Sequence, residues 1–297
     1  MSALWMLVAA VLFSFMGAMV KFAIQQYGVL EIVLYRSLIG MLALFAFVRW
    51  RGETLATPVA RTHLTRGAVG TTALALWFYA TGALPLGTAM TLNYTSPIFL
   101  AALAVGFSLR AGERIDWRLV AAIAIGFCGV VLVLQPTIDA TQGVAAAAGL
   151  VSGVLSAIAY WYVRTLGRRG EPEWRTVFYF TLSGTTLGLI GSLITGFSPH
   201  DARGVVLLFG IGVTATLAQL AMTRAYGYGH TLVVANLQFV AVVVASLLGI
   251  ALFSDRIPLV GWIGILVIIG GGALSTALVA RQRGTLPTAN NRPGPRP

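Results

Sequence analysis

LPLGTAMTLNYTSPIFLAALAVGFSLRAGERIDWRLVAAIAIGFCGVVLV, residues 84–133, holds two apolar runs joined by a short polar turn, and a similar stretch returns 142 residues later as residues 226–275. Gly87 falls on Gly229. Glu113, Arg114 and Ile115 fall on Asp255, Arg256 and Ile257; Ile123 falls on Ile265 and Gly129 on Gly271. The same offset works upstream, where Ser14 meets Ser156, Glu31 meets Glu173, Gly70 meets Gly212, Thr81 meets Thr223 and Ala83 meets Ala225. Apolar matches come easily in such a chain, but charged matches do not. One constant offset therefore points to one unit used twice.

The chain of 297 residues is 58% hydrophobic and 10% charged, whereas a soluble domain carries about 25% charged residues. Repeated apolar runs of this kind mark membrane spans. Ten are expected, at about 3–22, 30–48, 67–84, 88–109, 117–134, 143–163, 175–196, 203–223, 231–252 and 259–280. The runs are continuously apolar rather than alternating, which selects helices over a barrel. No basic n-region precedes the first run, so it is read as a span and not a cleaved signal. The single cysteine, Cys128, lies within an apolar run and has no internal partner for a disulfide.

The net charge of +11 is explained by sidedness and not by nucleic acid. Sixteen of the 20 basic residues fall in the second, fourth, sixth and eighth loops and the tail. Arg49, Arg51, Arg61 and Arg66 are assigned to the second loop. Lys21, Arg36, Arg203 and Arg256 fall toward the other side. Basic loops stay cytoplasmic, which puts both termini in the cytoplasm of a bacterial inner-membrane protein. Residues 281–297, rich in Pro, Asn and Gly, are expected to form a disordered tail.

Residues 1–135 and 143–280 then form two units of five spans each. Five is odd, so the second unit must enter the membrane from the opposite side. Inverted repeats are a transporter architecture, with substrate bound near the midplane between halves. The expected fold is an all-α membrane protein, ten transmembrane helices in two inverted five-helix repeats around a central cavity.

Two local patterns sharpen this. NYTSP, Asn93–Pro97, opens an apolar run that ends in GER at Gly112–Arg114, and the second copy ends in SDR at Ser254–Arg256. Arg36 lies inside LYRSLIG in the second span. With the span count, these make the chain resemble the EamA-type exporters of the drug/metabolite transporter superfamily over residues 3–280. The second copy departs from the pattern, with NLQFV at Asn236–Val240. The resemblance implies a basket of ten helices, lined by spans 1, 3 and 4 and their partners 6, 8 and 9, with spans 5 and 10 outside. It also implies export of amino acids, other metabolites or drugs.

Polar side chains in a bilayer face protein or a water-filled cavity, and the repeat adds a second criterion. Trp77 pairs with Gln219 and Thr81 with Thr223; the spacing of four puts each pair on one helical face. Tyr94 pairs with Asn236, Ser96 with Gln238 and Ser14 with Ser156, and Tyr160 lies one turn beyond Ser156. Asn93 pairs with Ala235, so one half alone has an amide there. These residues are the candidate substrate contacts; the competing role for each is interhelical hydrogen bonding or close packing. Pro97 is expected to kink the fourth span. Lys21 and Arg36 are expected toward the outer face, where two roles compete: attracting an anionic group such as a substrate carboxylate, or, as the favoured reading, snorkelling or pairing with Glu31. The pairs Glu113–Arg114 and Asp255–Arg256 are expected to cap the turns before spans 5 and 10. Glu31 is the one carboxylate near a span interior, so no buried-carboxylate proton relay is expected.

HExxH and P-loop patterns are missing, and His63, His200 and His230 fall in loops or at span ends. An enzyme is not expected, nor a metal or cofactor. The partners implied are a small-molecule substrate and the lipid bilayer, with no nucleic acid and a monomer or weak homodimer. The leading reading is a secondary transporter exporting amino acids by alternating access. The alternatives are a carrier of a larger metabolite, such as S-adenosylmethionine, a flavin or a drug-like solute, and a channel.

Overall fold

The computed structural model describes residues 2–84, 86–112, 114–136, 138–253 and 257–284. Its helices are α1 (Ser2–Ala23), α2 (Val29–Arg51), α3 (Ala60–Ala83), α4 (Leu86–Asn93), α5 (Ser96–Arg110) and α6 (Trp117–Leu134). A short 3-10 turn leads into α7 (Gly143–Arg168), followed by α8 (Glu173–Thr195), α9 (Ala202–Tyr228), α10 (Thr231–Leu237), α11 (Val240–Phe253) and α12 (Leu259–Gly284). No strand occurs among the described residues.

Nine segments there are long and apolar enough to cross a membrane, taking α4–α5 and α10–α11 as one span each. The tenth helix of comparable length is α3. It starts at Ala60, earlier than the sequence suggests, and carries Arg61, His63 and Arg66 in its first turns. Arg66 is therefore not a loop residue. Large apolar side chains such as Leu193 (69% exposed) and Ile194 (79% exposed) cover the outside, as a lipid-facing surface requires. The expected tail lies largely outside the described residues, as do Glu113, Asp255 and Arg256.

Pro97 sits in the first turn of α5, just after a break at Tyr94–Thr95. A helix's first turn has no hydrogen-bond acceptors for its own N–H groups, so proline fits there without loss. The fourth span is thus two helices rather than one kinked helix. The ninth span breaks likewise at Gln238–Phe239, without a proline.

Helix packing crosses between the two sequence units. The principal pairs are α1 with α9, α3 with α7, α2 with α8 and α6 with α12. Under the 142-residue offset the first two pairs exchange and the last two map onto themselves. Directions follow from close approaches. Tyr27, just past the end of α1, meets Gly204 of α9 while Met19 of α1 meets Gly210; on α3 and α7, Ala80 meets Gly149 while Gly70 meets Ala159. Both pairs run antiparallel. Small residues permit the closest contacts: Gly188 of α8 lies on the backbone of Leu34, and Gly129 of α6 faces Gly264 of α12.

Candidate functional site

A cavity of about 550 Å³ lies between α1, α3, the α4–α5 break, α7 and α11. That is within the range of small-molecule sites, roughly 300–1,000 Å³. It reaches from Arg66 and Gln219 in the interior to Lys21, Thr81, Leu134 and Pro258 at one end of the bundle. Of the candidate contacts, Ser14, Trp77, Thr81, Asn93, Tyr94, Ser156, Tyr160, Gln219 and Gln238 line it.

Their bonding differs. Ser14 donates to the Ala10 and Ala241 carbonyls at 2.8 and 2.9 Å, tying α1 to α11. Thr81 donates back to Trp77 O at 2.8 Å. Asn93 Nδ2 donates to Ser152 Oγ at 3.0 Å. Trp77 Nε1 is buried without a partner.

Ser96, Thr223 and Asn236 lie outside the lining, a correction to the repeat-based placement. Ser96 is fully buried between helices. Thr223 is buried at 4% exposure on α9, whose only lining residue is Gln219. Asn236 faces α12 instead, where its Nδ2 donates to Gly271 O at 2.8 Å and Ser275 Oγ at 3.1 Å. Its role in the packing is interhelical hydrogen bonding.

Two arginines join the lining, and of these Arg66 was assigned to a loop by sequence. Arg66 lines the cavity at 2% exposure; its Nη2 donates to Gln219 Oε1 at 3.1 Å. Its guanidinium carbon sits 3.9 Å above the Phe180 ring, and that of Arg36 sits 5.4 Å from the same ring. Arg36 also lines the cavity at 2% exposure. It is not the partner of Glu31. That carboxylate accepts from Ser198 N and Oγ, at 3.2 and 2.8 Å, and lies 3.6 Å from His200. The arginines bring α2 and α8, spans 2 and 7, into the site. LYRSLIG contained the signal for Arg36. For Arg66 the only signal was an arginine one helical turn before a small-residue face, Gly67 and Gly70.

At the inner end, Tyr160 of α7 stacks on Tyr226 of α9, and Gln238 bonds both hydroxyls. Beyond them α7 and α9 close on one another where Gly167 faces Gly227. Their counterparts α1 and α3 scarcely touch, and the cavity runs between them. A second hollow, about 660 Å³, lies at the far ends of α7 and α9 and is lined by Ala104, Ile115, Asp116, Arg164 and Arg168 among others. Ala104, Ile115 and Asp116 are the offset counterparts of Ser246, Ile257 and Pro258, which line the first cavity. Among the described residues no group of three or more His, Cys, Asp or Glu is placed to hold a metal ion.

An all-helical bundle of apolar spans encloses a solute-sized, partly charged cavity. The chain belongs to the EamA-like transporter family, which it matches over residues 1–135 and 143–277. It is 32% identical to the pseudopaline exporter CntI of Pseudomonas aeruginosa over 276 residues, 93% of each chain. It is 26% identical to a riboflavin transporter of Vibrio cholerae (94% of this chain, 92% of that one). An S-adenosylmethionine uptake transporter of Rickettsia felis is 22% identical over 84% of each chain. A solved crystal structure superimposes with TM-score 0.79 at 20% identity, covering 95% of this chain and 98% of that one, and shares the fold. The protein is a multi-pass membrane protein of a transporter family, not an enzyme family.

Proposed function

We propose that the protein is a secondary transporter that exports a small amino-acid-like metabolite across the bacterial inner membrane by alternating access, with both termini cytoplasmic. The observation that carries this reading is the pair of hollows. They lie at opposite ends of the bundle, share four offset-equivalent lining positions (Ala104 with Ser246, Ile115 with Ile257, Asp116 with Pro258, Leu232 with Met90), and are separated by the Tyr160–Gln238–Tyr226 cluster. The exchange of helix pairs under the offset and the antiparallel crossings support two inverted units. Rocking one unit against the other opens one hollow as it closes its counterpart. Arg49, Arg51, Arg168 and Arg169, read by the bias of basic residues toward the cytoplasm, support a cytoplasmic second hollow. The first cavity then faces outward.

Glu31 is held by Ser198 and His200 outside the cavity lining, which supports exchange or downhill flux over a carboxylate relay. A larger metabolite is the second reading, favoured by the cavity volume and by the riboflavin and S-adenosylmethionine carriers among the relatives.

Counterflow in proteoliposomes tests the function. Vesicles preloaded with one unlabelled amino acid or metabolite receive its labelled form outside. Saturable accumulation with one solute class is expected. Flux that never saturates would indicate a channel. No accumulation with any solute, from folded protein, would defeat the transporter reading.

A further inference from the structure

The cavity holds cations without carboxylates. Arg36 and Arg66 are each 2% exposed, and both guanidinium groups lie over the Phe180 ring. Arg66 has one protein acceptor, Gln219; its Nε and Nη1, and Arg36 Nε, have none. Among the described lining residues there is no Asp or Glu. The nearby Glu31 is committed elsewhere. Burying two like charges without a counterion is costly. Such a pair persists where an oxyanion completes it, and the guanidinium fork fits a carboxylate bidentately.

We infer that Arg36 and Arg66 form a carboxylate-binding subsite, and that the transported solute is a net-negative organic acid with an apolar or aromatic body. The Phe180 ring lies 3.9 Å from the guanidinium carbon of Arg66 and 5.4 Å from that of Arg36. Phe13, Trp77 and Phe78 offer the apolar surface against which the body lies. A plain zwitterion fits less well, because its ammonium would sit among cations with only hydroxyl and amide oxygens to accept from it. An N-acylated or otherwise acidic amino-acid derivative keeps the carboxylate and sheds that positive charge. This inference rests on the transporter reading only in placing the transported solute at this subsite.

The test is a charge ladder on purified full-length protein in detergent. N-acetylphenylalanine, phenylalanine, N-acetylphenylalaninamide and phenylalaninamide share one skeleton and differ in charge; leucine and methionine series accompany them. Titration calorimetry and thermal shift are read for each. The N-acetyl acids are expected to bind, the zwitterions at least tenfold more weakly, and the amides not at all. Arg36→Gln and Arg66→Gln are expected to weaken binding of the acids about tenfold to a hundredfold. Arg66→Lys, which keeps the charge and loses the fork, should fall between. Equal binding of neutral amides, tighter binding of cations, or no response to any acid would overturn the inference. The wild-type ladder decides this even where a variant fails to fold. Saturable counterflow of an uncharged or cationic solute would sink the subsite and leave the transporter reading standing. Loss of all counterflow despite acid binding would do the reverse.

Discussion

Tyr160 and Tyr226 stack with ring centroids 5.3 Å apart and planes 15° from parallel, joining α7 to α9 at the inner end of the cavity. Tyr226 is fully buried and donates to Gln238 Oε1 at 3.2 Å, while Gln238 Nε2 donates to Tyr160 Oη at 3.2 Å. One side chain thus satisfies both rings.

Replacing that side chain tests the arrangement. Gln238→Leu leaves a buried tyrosine hydroxyl without its acceptor, at a cost of about 1–3 kcal/mol. A lower apparent Tm in detergent is expected, together with reduced counterflow. Unchanged stability would show that the two bonds contribute little.

Asn236→Ala separates packing from binding. The side chain ties α10 to α12 and lies outside the lining. Loss of about 1–2 kcal/mol of stability is expected, with the KM for counterflow near wild type. Asn93→Ala should instead raise the KM, since Asn93 lines the cavity. If the Asn236 variant is the one whose KM rises, the assignment is reversed.

At the closure of α7 on α9, Gly167 has no room for a side chain, because a Cβ there would run into the Gly227 backbone. Gly167→Val forces α7 from α9, and overpacking of this kind costs about 1–3 kcal/mol. A cysteine placed at Tyr160 in a Cys128→Ser background should then react faster with an impermeant thiol reagent applied from the side of the second hollow. No gain in reactivity would mean the closure is not at this crossing.

Glu171, in the α7–α8 link, ties three parts of the chain together. It accepts from Thr57 at 2.7 Å and from Arg175 at 3.0 Å, and His63 lies 3.0 Å away. Burial works against its charge, but the bonds from Thr57, Arg175 and His63 outweigh it and hold its carboxyl below the ordinary 4.5. A carboxylate with a depressed folded value contributes stability that is present above its unfolded value and lost as pH falls through the folded one. The apparent Tm should therefore drop as pH falls below 4.5, and Glu171→Gln should flatten that part of the profile. The same slope in the variant would assign the acid sensitivity elsewhere.

Glu31→Gln removes an acceptor from Ser198, so stability should fall by about 1–3 kcal/mol. The pH profile of counterflow should keep its shape. A flattened profile would make Glu31 the coupling group.

Length and hydropathy were enough to identify an all-helical chain of apolar spans, because that depends on local composition, and the constant offset suggested a division at residues 135–143. The offset also selected Trp77, Gln219, Tyr94 and Gln238, all in the lining. It failed for Asn236. Its partner Tyr94 lies at the α4–α5 break, but the second break comes at Gln238–Phe239, two residues later than its counterpart. Asn236 is therefore still helical, and at about 100° per residue a shift of two positions turns it well away from the cavity. Arg66 was missed for another reason. Sequence prices an arginine as a charge for water or the interface, while the folded bundle sets Arg66 over the Phe180 ring with the Gln219 amide as its acceptor. Periodicity fixes which side chains share a face of a helix. Where that face points is decided by the partner helix across the repeat, and only the tertiary structure contains that partner.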